Sequence, residues 1–207
     1  MSLDALAADI DARAEGCARY LVAIAGAPAS GKSTLAENLL AALDVMRPGR
    51  AVLVPMDGYH FDDAVLDELG FRERKGAPHT FDVEALERDL ERIRAGDRDV
   101  AVPVFDRSLE LARAAARLVR PWHSIVLVEG NYLLLDQAPW VRLARFFDRT
   151  VFLSVPMTVL RRRLLDRWDG YGREPVAAAA WVEANDMPNA AAVAERSRAA
   201  DVVVENV

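Results

Sequence analysis

YLVAIAGAPASGKST, residues 20–34, decides the fold. An unbroken apolar run ends at Gly26, and a run without polar alternation suits a parallel strand buried on both faces. Small residues follow, then Lys32 with two hydroxyls, and from Lys32 to Leu43 the pattern is helical. Gly26, Gly31, Lys32 and Ser33 fit G-x-x-x-x-G-K-[ST], after a strand and before a helix, which is the context this motif requires. The chain has 24 arginines and only two lysines, Lys32 and Lys75, so a lysine at this turn is not generic surface charge.

The spacing has a physical meaning. Glycines let successive backbone N–H groups turn toward one point, and the following helix adds the positive end of its dipole, so the turn forms a concavity for anions. Gly26, Ala27, Ala29, Ser30, Gly31, Lys32, Ser33 and Thr34 are the expected cradle. Lys32 supplies a compact charge for outer phosphates, and the Ser33 hydroxyl suits magnesium. The expected ligand is a nucleoside triphosphate.

Further apolar runs bounded by turn signals follow: AVLVPM (51–56), VAVPVF (100–105), SIVLVEG (124–130), TVFLSV (150–155) and DVVVEN (201–206). A helix-like segment, 3–16, precedes the first strand, and others at 83–95, 136–147, 157–168 and 175–185 separate most of the runs. This alternation predicts an α/β fold with a mainly parallel sheet and helices on both faces. Residues 106–120, DRSLELARAAARLVR, are ambiguous, because Ala and Arg favour helix while both flanks look extended. A chain of 207 residues suits one domain, 1–207.

Composition narrows the class. With 52% apolar and 28% charged residues, the chain lacks the polar bias of disorder and any apolar run long enough to span a bilayer. A net charge of −6 argues against a general nucleic-acid or membrane binder. Cys17 is the only cysteine, which excludes an internal disulfide and a cysteine metal cluster. The first 20 residues carry acids and no secretory pattern, so the cytoplasm is the expected compartment; a homodimer is left open.

Triphosphate binding does not identify a reaction. The [NT]-K-x-D signature of a GTPase is absent, and the two D-x-x-G matches, Asp67–Gly70 and Asp169–Gly172, follow helix-like segments instead of strands. A small-molecule kinase needs an acid for the acceptor's proton, a pocket, and arginines that close over phosphate. Asp57 in PMDGYHFDD ends the next strand and is either that base or a D-G turn residue. Glu129 interrupts an apolar strand at its end and either approaches magnesium or faces solvent. Tyr59, His60 and Phe61 either line a pocket or pack a loop. Arg72, Arg74 and Lys75 either hold an anionic substrate or form a solvated loop. Phe105, Asp106 and Arg107 in PVFDR sit at another strand end facing the same crevice, where Asp106 binds acceptor hydroxyls or caps the next segment. Residues 160–175, LRRRLLDRWDGYGREP, read as an arginine lid or as a solvated helix face, with Arg167 and Arg173 nearest the expected hinge. NDMPN, 185–189, reads as a loop before the last strand.

From Tyr20 onward the chain resembles the uridine kinase, pantothenate kinase and phosphoribulokinase branch of P-loop kinases. Within it, PMDGYHFDD, RKGAPHTFD, PVFDR, VEGNYLLLD and NDMPNA look most like bacterial proteins named "putative fructose transport system kinase". The resemblance implies a P-loop three-layer sandwich on a five-stranded parallel sheet, ATP as donor and Mg2+ as ion. It also implies Asp57 as the catalytic aspartate, Glu129 as the metal-associated acid, and Arg167 and Arg173 as lid arginines. Uridine kinases carry P-D-x-F-D where this chain has Pro78, His79, Thr80, Phe81 and Asp82. The acid that grips the ribose is thus a histidine, which argues against a nucleoside, while His79 can still bond a sugar hydroxyl. The expected activity is phosphoryl transfer from ATP to a hydroxyl of a small metabolite, a sugar such as fructose. Uridine-like and pantothenate acceptors are the alternatives, and an ATP-binding regulator of a transport system is the alternative from another class.

Overall fold

A computed structural model describes residues 1–206. Five parallel strands form the central sheet: β1 (Tyr20–Gly26), β2 (Ala51–Pro55), β5 (Ile125–Gly130), β6 (Arg149–Ser154) and β7 (Val202–Glu205), in the order β2-β5-β1-β6-β7. β3 (Val100–Asp106) and β4 (Leu111–Val119) pair separately as an antiparallel hairpin. The expected strand at 100–105 is therefore present but lies outside the central sheet. The ambiguous 106–120 segment is strand for most of its length, because β4 takes its backbone partners from β3 across a register shift between Val102 and Val104.

The helices are α1 (Leu3–Arg13), α2 (Lys32–Met46), α3 (Asp63–Leu69), α4 (Val83–Ala95), α5 (Met157–Gly170), α6 (Pro175–Trp181) and α7 (Met187–Arg196). The segment expected as helix at 136–147 contains a 3-10 helix, Trp140–Phe146. α6 continues through a turn of π-helix, Val182–Asp186, into α7, so NDMPN is helical and not the expected loop. Pro188 lies just past the π-turn and cannot donate to the preceding turn; the Ala184 carbonyl, four residues back, accepts instead from Arg74 Nη1 at 2.9 Å.

The alternation of β1 explains the layers. Leu21, Ala23 and Ala25 face one core, with Leu86 and Leu90 of α4, Trp140, Leu160 of α5 and Val193 of α7. Val22 and Ile24 face the other, with Leu6 and Ile10 of α1 and Ala36, Leu39 and Leu43 of α2. Every residue of β1 and β5 is buried, as expected for the middle of a sheet covered on both faces. Because β5 lies between β1 and β2, Ile24 and Pro55 both pair with Glu129, and the three strands deliver their carboxyl ends to one edge. Open α/β sheets bind ligands at that edge.

Candidate active site

The turn after β1 is built for an anion. Ala29 has φ 62° and Gly31 has φ 91°, the left-handed geometry that lets neighbouring N–H groups converge. A Cβ at Gly26 would sit 2.7 Å from Ser30 Oγ and 3.1 Å from the Leu153 carbonyl oxygen, so space requires that glycine, while Gly31 is required by its positive φ. Asn206, just past β7, donates to the Ser30 carbonyl at 2.8 Å and fixes the turn from below. Helices α1, α3, α4 and α6 are capped by Ser2, Asp62, Asp82 and Glu174, whereas α2 starts at Gly31 without a side-chain cap. Its first backbone N–H groups remain free for a ligand.

Lys32, Ser33, Asp57 and Glu129 meet beside this turn. Ser33 Oγ donates to Glu129 Oε2 at 3.1 Å. Burial lowers the Lys32 ammonium, against the opposing pull of Glu129 and Asp57. Burial raises Glu129, and the Asp57 charge adds to that. Burial also pushes Asp57 upward, but His60, Arg107, Lys32 and Arg167 together outweigh it and hold the carboxyl below its usual range. A cluster of two carboxylates and a lysine at an anion turn is a poised site, with charges that a phosphate and a cation would complete. The donors fit magnesium, since Ser33 and Glu129 offer only oxygen and magnesium takes few protein ligands besides water and phosphate.

From Asp57 a cleft of about 470 Å³ runs outward, lined by His60, Phe81, Phe105, Lys75, Arg107 and Asn131, and on the far side by Arg167, Trp168, Arg173, Trp181 and Asp186. Asn131 Oδ1 and Trp181 Nε1 are buried in its wall with no protein partner. Of the residues expected to line an acceptor pocket, His60 and Phe105 do so. Tyr59 instead points into the core, where its hydroxyl donates to Asp89 Oδ2 at 3.0 Å. His79 packs edge-on against Phe71, centroids 4.6 Å apart, and borders a separate surface groove. Asp82 caps α4 by accepting from Ala85 N at 2.8 Å. Asp106 closes the β3–β4 turn, accepting from Ser108 N and Oγ at 3.0 and 2.6 Å.

Arg167 and Arg173 both reach the cleft, but the Arg173 guanidinium packs into the corner where Trp168 and Trp181 meet edge-to-face, 4.8 and 4.6 Å from their centroids. Lys75 is tied to Asp63 at 2.7 Å, which also pairs with Arg72, so these bases are largely neutralised within the protein. Arg107, whose sequence position carried no assigned role, reaches Asp57 Oδ2 at 2.5 Å from the hairpin turn. The sequence placed it with Phe105 and Asp106 at a strand end facing the crevice, but nothing there signalled the contact with Asp57.

No protein-family model matches the chain. It is 37% identical over 190 residues to "Uncharacterized protein YggC" of Escherichia coli (strain K12), covering 90% of this chain and 78% of that protein. It is 32% identical over 199 residues to a "Putative uridine kinase" of Schizosaccharomyces pombe, covering 91% and 84%. To the pantothenate kinase of Myxococcus xanthus it is 34% identical over 157 residues, 72% of this chain but 49% of that one, so it spans about half the length of that relative. Among solved structures, the "putative fructose transport system kinase" from Silicibacter sp. TM1040 superposes with a TM-score of 0.91 at 40% identity over 99% of both chains.

Proposed function

The chain belongs to the family of P-loop kinases related to uridine and pantothenate kinases, and from that premise we propose that it transfers the γ-phosphoryl group of ATP to a hydroxyl of a small metabolite, a sugar such as fructose. The observation that carries the reading is the convergence of Lys32, Asp57 and Glu129 at the uncapped start of α2, with the cleft opening from Asp57. A protein that only sensed nucleotide would need the phosphate cradle but neither a cleft nor a carboxylate at its head.

In this mechanism the N–H groups of the turn and Lys32 bind the phosphates, and Asp57 accepts the proton of the attacking hydroxyl. Its low proton affinity keeps it ionised and ready at neutral pH. Ser33 and Glu129 would hold Mg2+, which supplies charge neutralisation along the phosphate chain when bound. Residues 160–175 act as a lid, with Arg167 and Arg173 neutralising the phosphoryl group in transfer. The whole chain, 1–207, works as one domain, and among the described residues no helix is long and apolar enough to cross a membrane.

The test is ADP release with fructose, other hexoses, pentoses, uridine, cytidine and pantothenate, each against a no-acceptor control, with products identified by mass. Stimulation by one class with a phosphorylated product is expected. A flat panel above a real ATPase baseline would overturn the sugar reading and favour an ATP-binding regulator or an acceptor outside the panel.

A further inference from the structure

Arg74 and Lys75 are neighbours in sequence but serve two different hollows. Lys75 and Gly76 line the cleft, whereas Arg74 and the residues from Ala77 to His79 line a second groove of about 290 Å³. Its other walls come from the stretch after β5, Leu135 to Trp140, and from α7 between Pro188 and Arg196. The lining holds two guanidiniums, Arg74 and Arg196, and no carboxylate. On the cleft side Asp63 pairs with both Arg72 and Lys75, but among the described residues neither Arg74 nor Arg196 has an ion-pair partner. Arg74 donates one N–H to the Ala184 carbonyl at 2.9 Å, which fixes the guanidinium and leaves its other donors for a ligand. His79, kept neutral by burial and by the Arg74 charge, adds a polar group without adding charge. The rest of the lining is largely apolar, with three prolines, Leu135 and Trp140, and the Trp140 indole is held by its Nε1 donating to the Pro78 carbonyl at 3.1 Å.

We propose that this groove is an effector site for a small organic oxyanion, a carboxylate or a phosphate ester, whose charge is met by Arg74 and Arg196 and whose carbon body covers the apolar wall. The planar guanidinium fork matches both anion types. The volume, near the lower end of the usual range for ligand pockets, restricts the occupant to a small metabolite. The groove is coupled to the cleft by shared parts. Asn189 is buried and lines both. Its Nδ2 reaches Asn185 Oδ1 at 3.5 Å, and Asn185 Nδ2 donates at 2.9 Å to the carbonyl of Lys75, whose side chain stands in the cleft. Ala184, the partner of Arg74, lies in the same π-turn as Asp186, which accepts from Trp168 in the cleft wall. An anion that engages Arg74 therefore acts on the acceptor wall and on the base of the proposed lid. Binding in the groove stands apart from the kinase reading, whereas its effect on turnover rests on it.

The test is made on the full chain with Mg2+ and a saturating nonhydrolysable ATP analogue, so that the phosphate cradle is filled. Glycerol 3-phosphate, citrate and inorganic phosphate are titrated while the indole 1H–15N resonance of Trp140, one of four tryptophans, is followed. At least one organic anion should give a saturable shift, with inorganic phosphate weaker. Arg196→Gln, an exposed position that does not line the cleft, should weaken that binding by about tenfold or more, and Arg107→Gln in the cleft should leave it unchanged. No saturable shift with either organic anion, or equal affinity in Arg196→Gln, overturns the site, and inorganic phosphate binding as tightly as the best organic anion overturns the organic class. At saturation the anion should change the acceptor KM or the affinity for the ATP analogue by at least about twofold, and Arg196→Gln should abolish that response while keeping wild-type turnover without the anion. Unchanged KM and analogue affinity at saturation overturn the effector role. A chain that phosphorylates no acceptor defeats the kinase reading alone, because the spectra and the analogue affinity still decide the groove.

Discussion

The Arg107 guanidinium donates to Asp57 Oδ2 at 2.5 Å, joining the turn of the β3–β4 hairpin to the end of β2 across 50 residues of sequence. The proposed base is therefore oriented by a hairpin that does not belong to the central sheet. Burial raises the Asp57 proton affinity, and Arg107 is one of the groups that offset it, after His60, which carries charge only at acid pH. Its side chain is 53% exposed, so solvent screens part of its effect. Removing it raises the Asp57 proton affinity, and since only the ionised base accepts a proton, the acid limb of kcat/KM moves to higher pH. Arg107→Gln should show that displacement with turnover largely recovered on the alkaline side, and Arg107→Lys should lie between. A pH profile superimposable on the wild type would show that the contact does not tune the base.

Asp57→Asn keeps the shape of the side chain and removes its basicity. Turnover should fall by about 10²- to 10⁴-fold, while affinity for ATP, measured by calorimetry, stays within a few-fold because the cradle at 26–34 is untouched. Undiminished turnover would remove Asp57 from the role of base.

What could be read from the sequence followed from how local each feature is. The P-loop was legible because its glycines, lysine and hydroxyl act within one turn, and Asp57 and Glu129 because each interrupts or ends an apolar strand. Tyr59 was not legible as core, since its partner Asp89 is 30 residues away on α4. Asp82 could have been read as a cap: it stands directly before VEALERDL, where an acid accepts the orphan N–H groups of the helix start. The hairpin escaped because ARAAAR has helical composition, and only its pairing with β3 overrides that preference. The cleft walls contributed by Lys75, Asp63, Arg107 and Trp181 come from four separate segments, and no spacing within the chain brings them together.

Gly58 tests how tightly the hairpin holds the base. A Cβ there would overlap the Pro103 carbonyl of β3, backbone against backbone, so the residue next to Asp57 can be nothing larger without displacing β3. Gly58→Ala should cost about 2–3 kcal/mol, lowering Tm by roughly 4–10 °C, and should depress kcat together with stability. Gly170→Ala is the control, because a Cβ at Gly170 meets nothing within 4 Å and its φ is not in the left-handed region. That substitution should leave Tm unchanged or slightly raised. Equal melting of Gly58→Ala and wild type would mean the hairpin yields at no cost and does not position Asp57.

Arg173 rests in the aromatic corner formed by Trp168 and Trp181, and this sets the last prediction. Trp168 is fixed by its Nε1 donating to Asp186 Oδ2 at 2.7 Å, while Trp181 Nε1 has no partner, so one wall of the corner is anchored and the other is not. A guanidinium against two indoles gains about 0.5–1 kcal/mol per ring where water reaches it, which a triphosphate's charge can exceed. Nucleotide binding should therefore draw Arg173 out of the corner and change the emission of Trp168 and Trp181. The change should vanish in Arg173→Ala, which should also lose about a hundredfold in kcat with little change in Tm. If Arg173→Ala gives the wild-type fluorescence response and undiminished kcat, the corner is a structural contact alone and Arg167 is left as the lid's arginine.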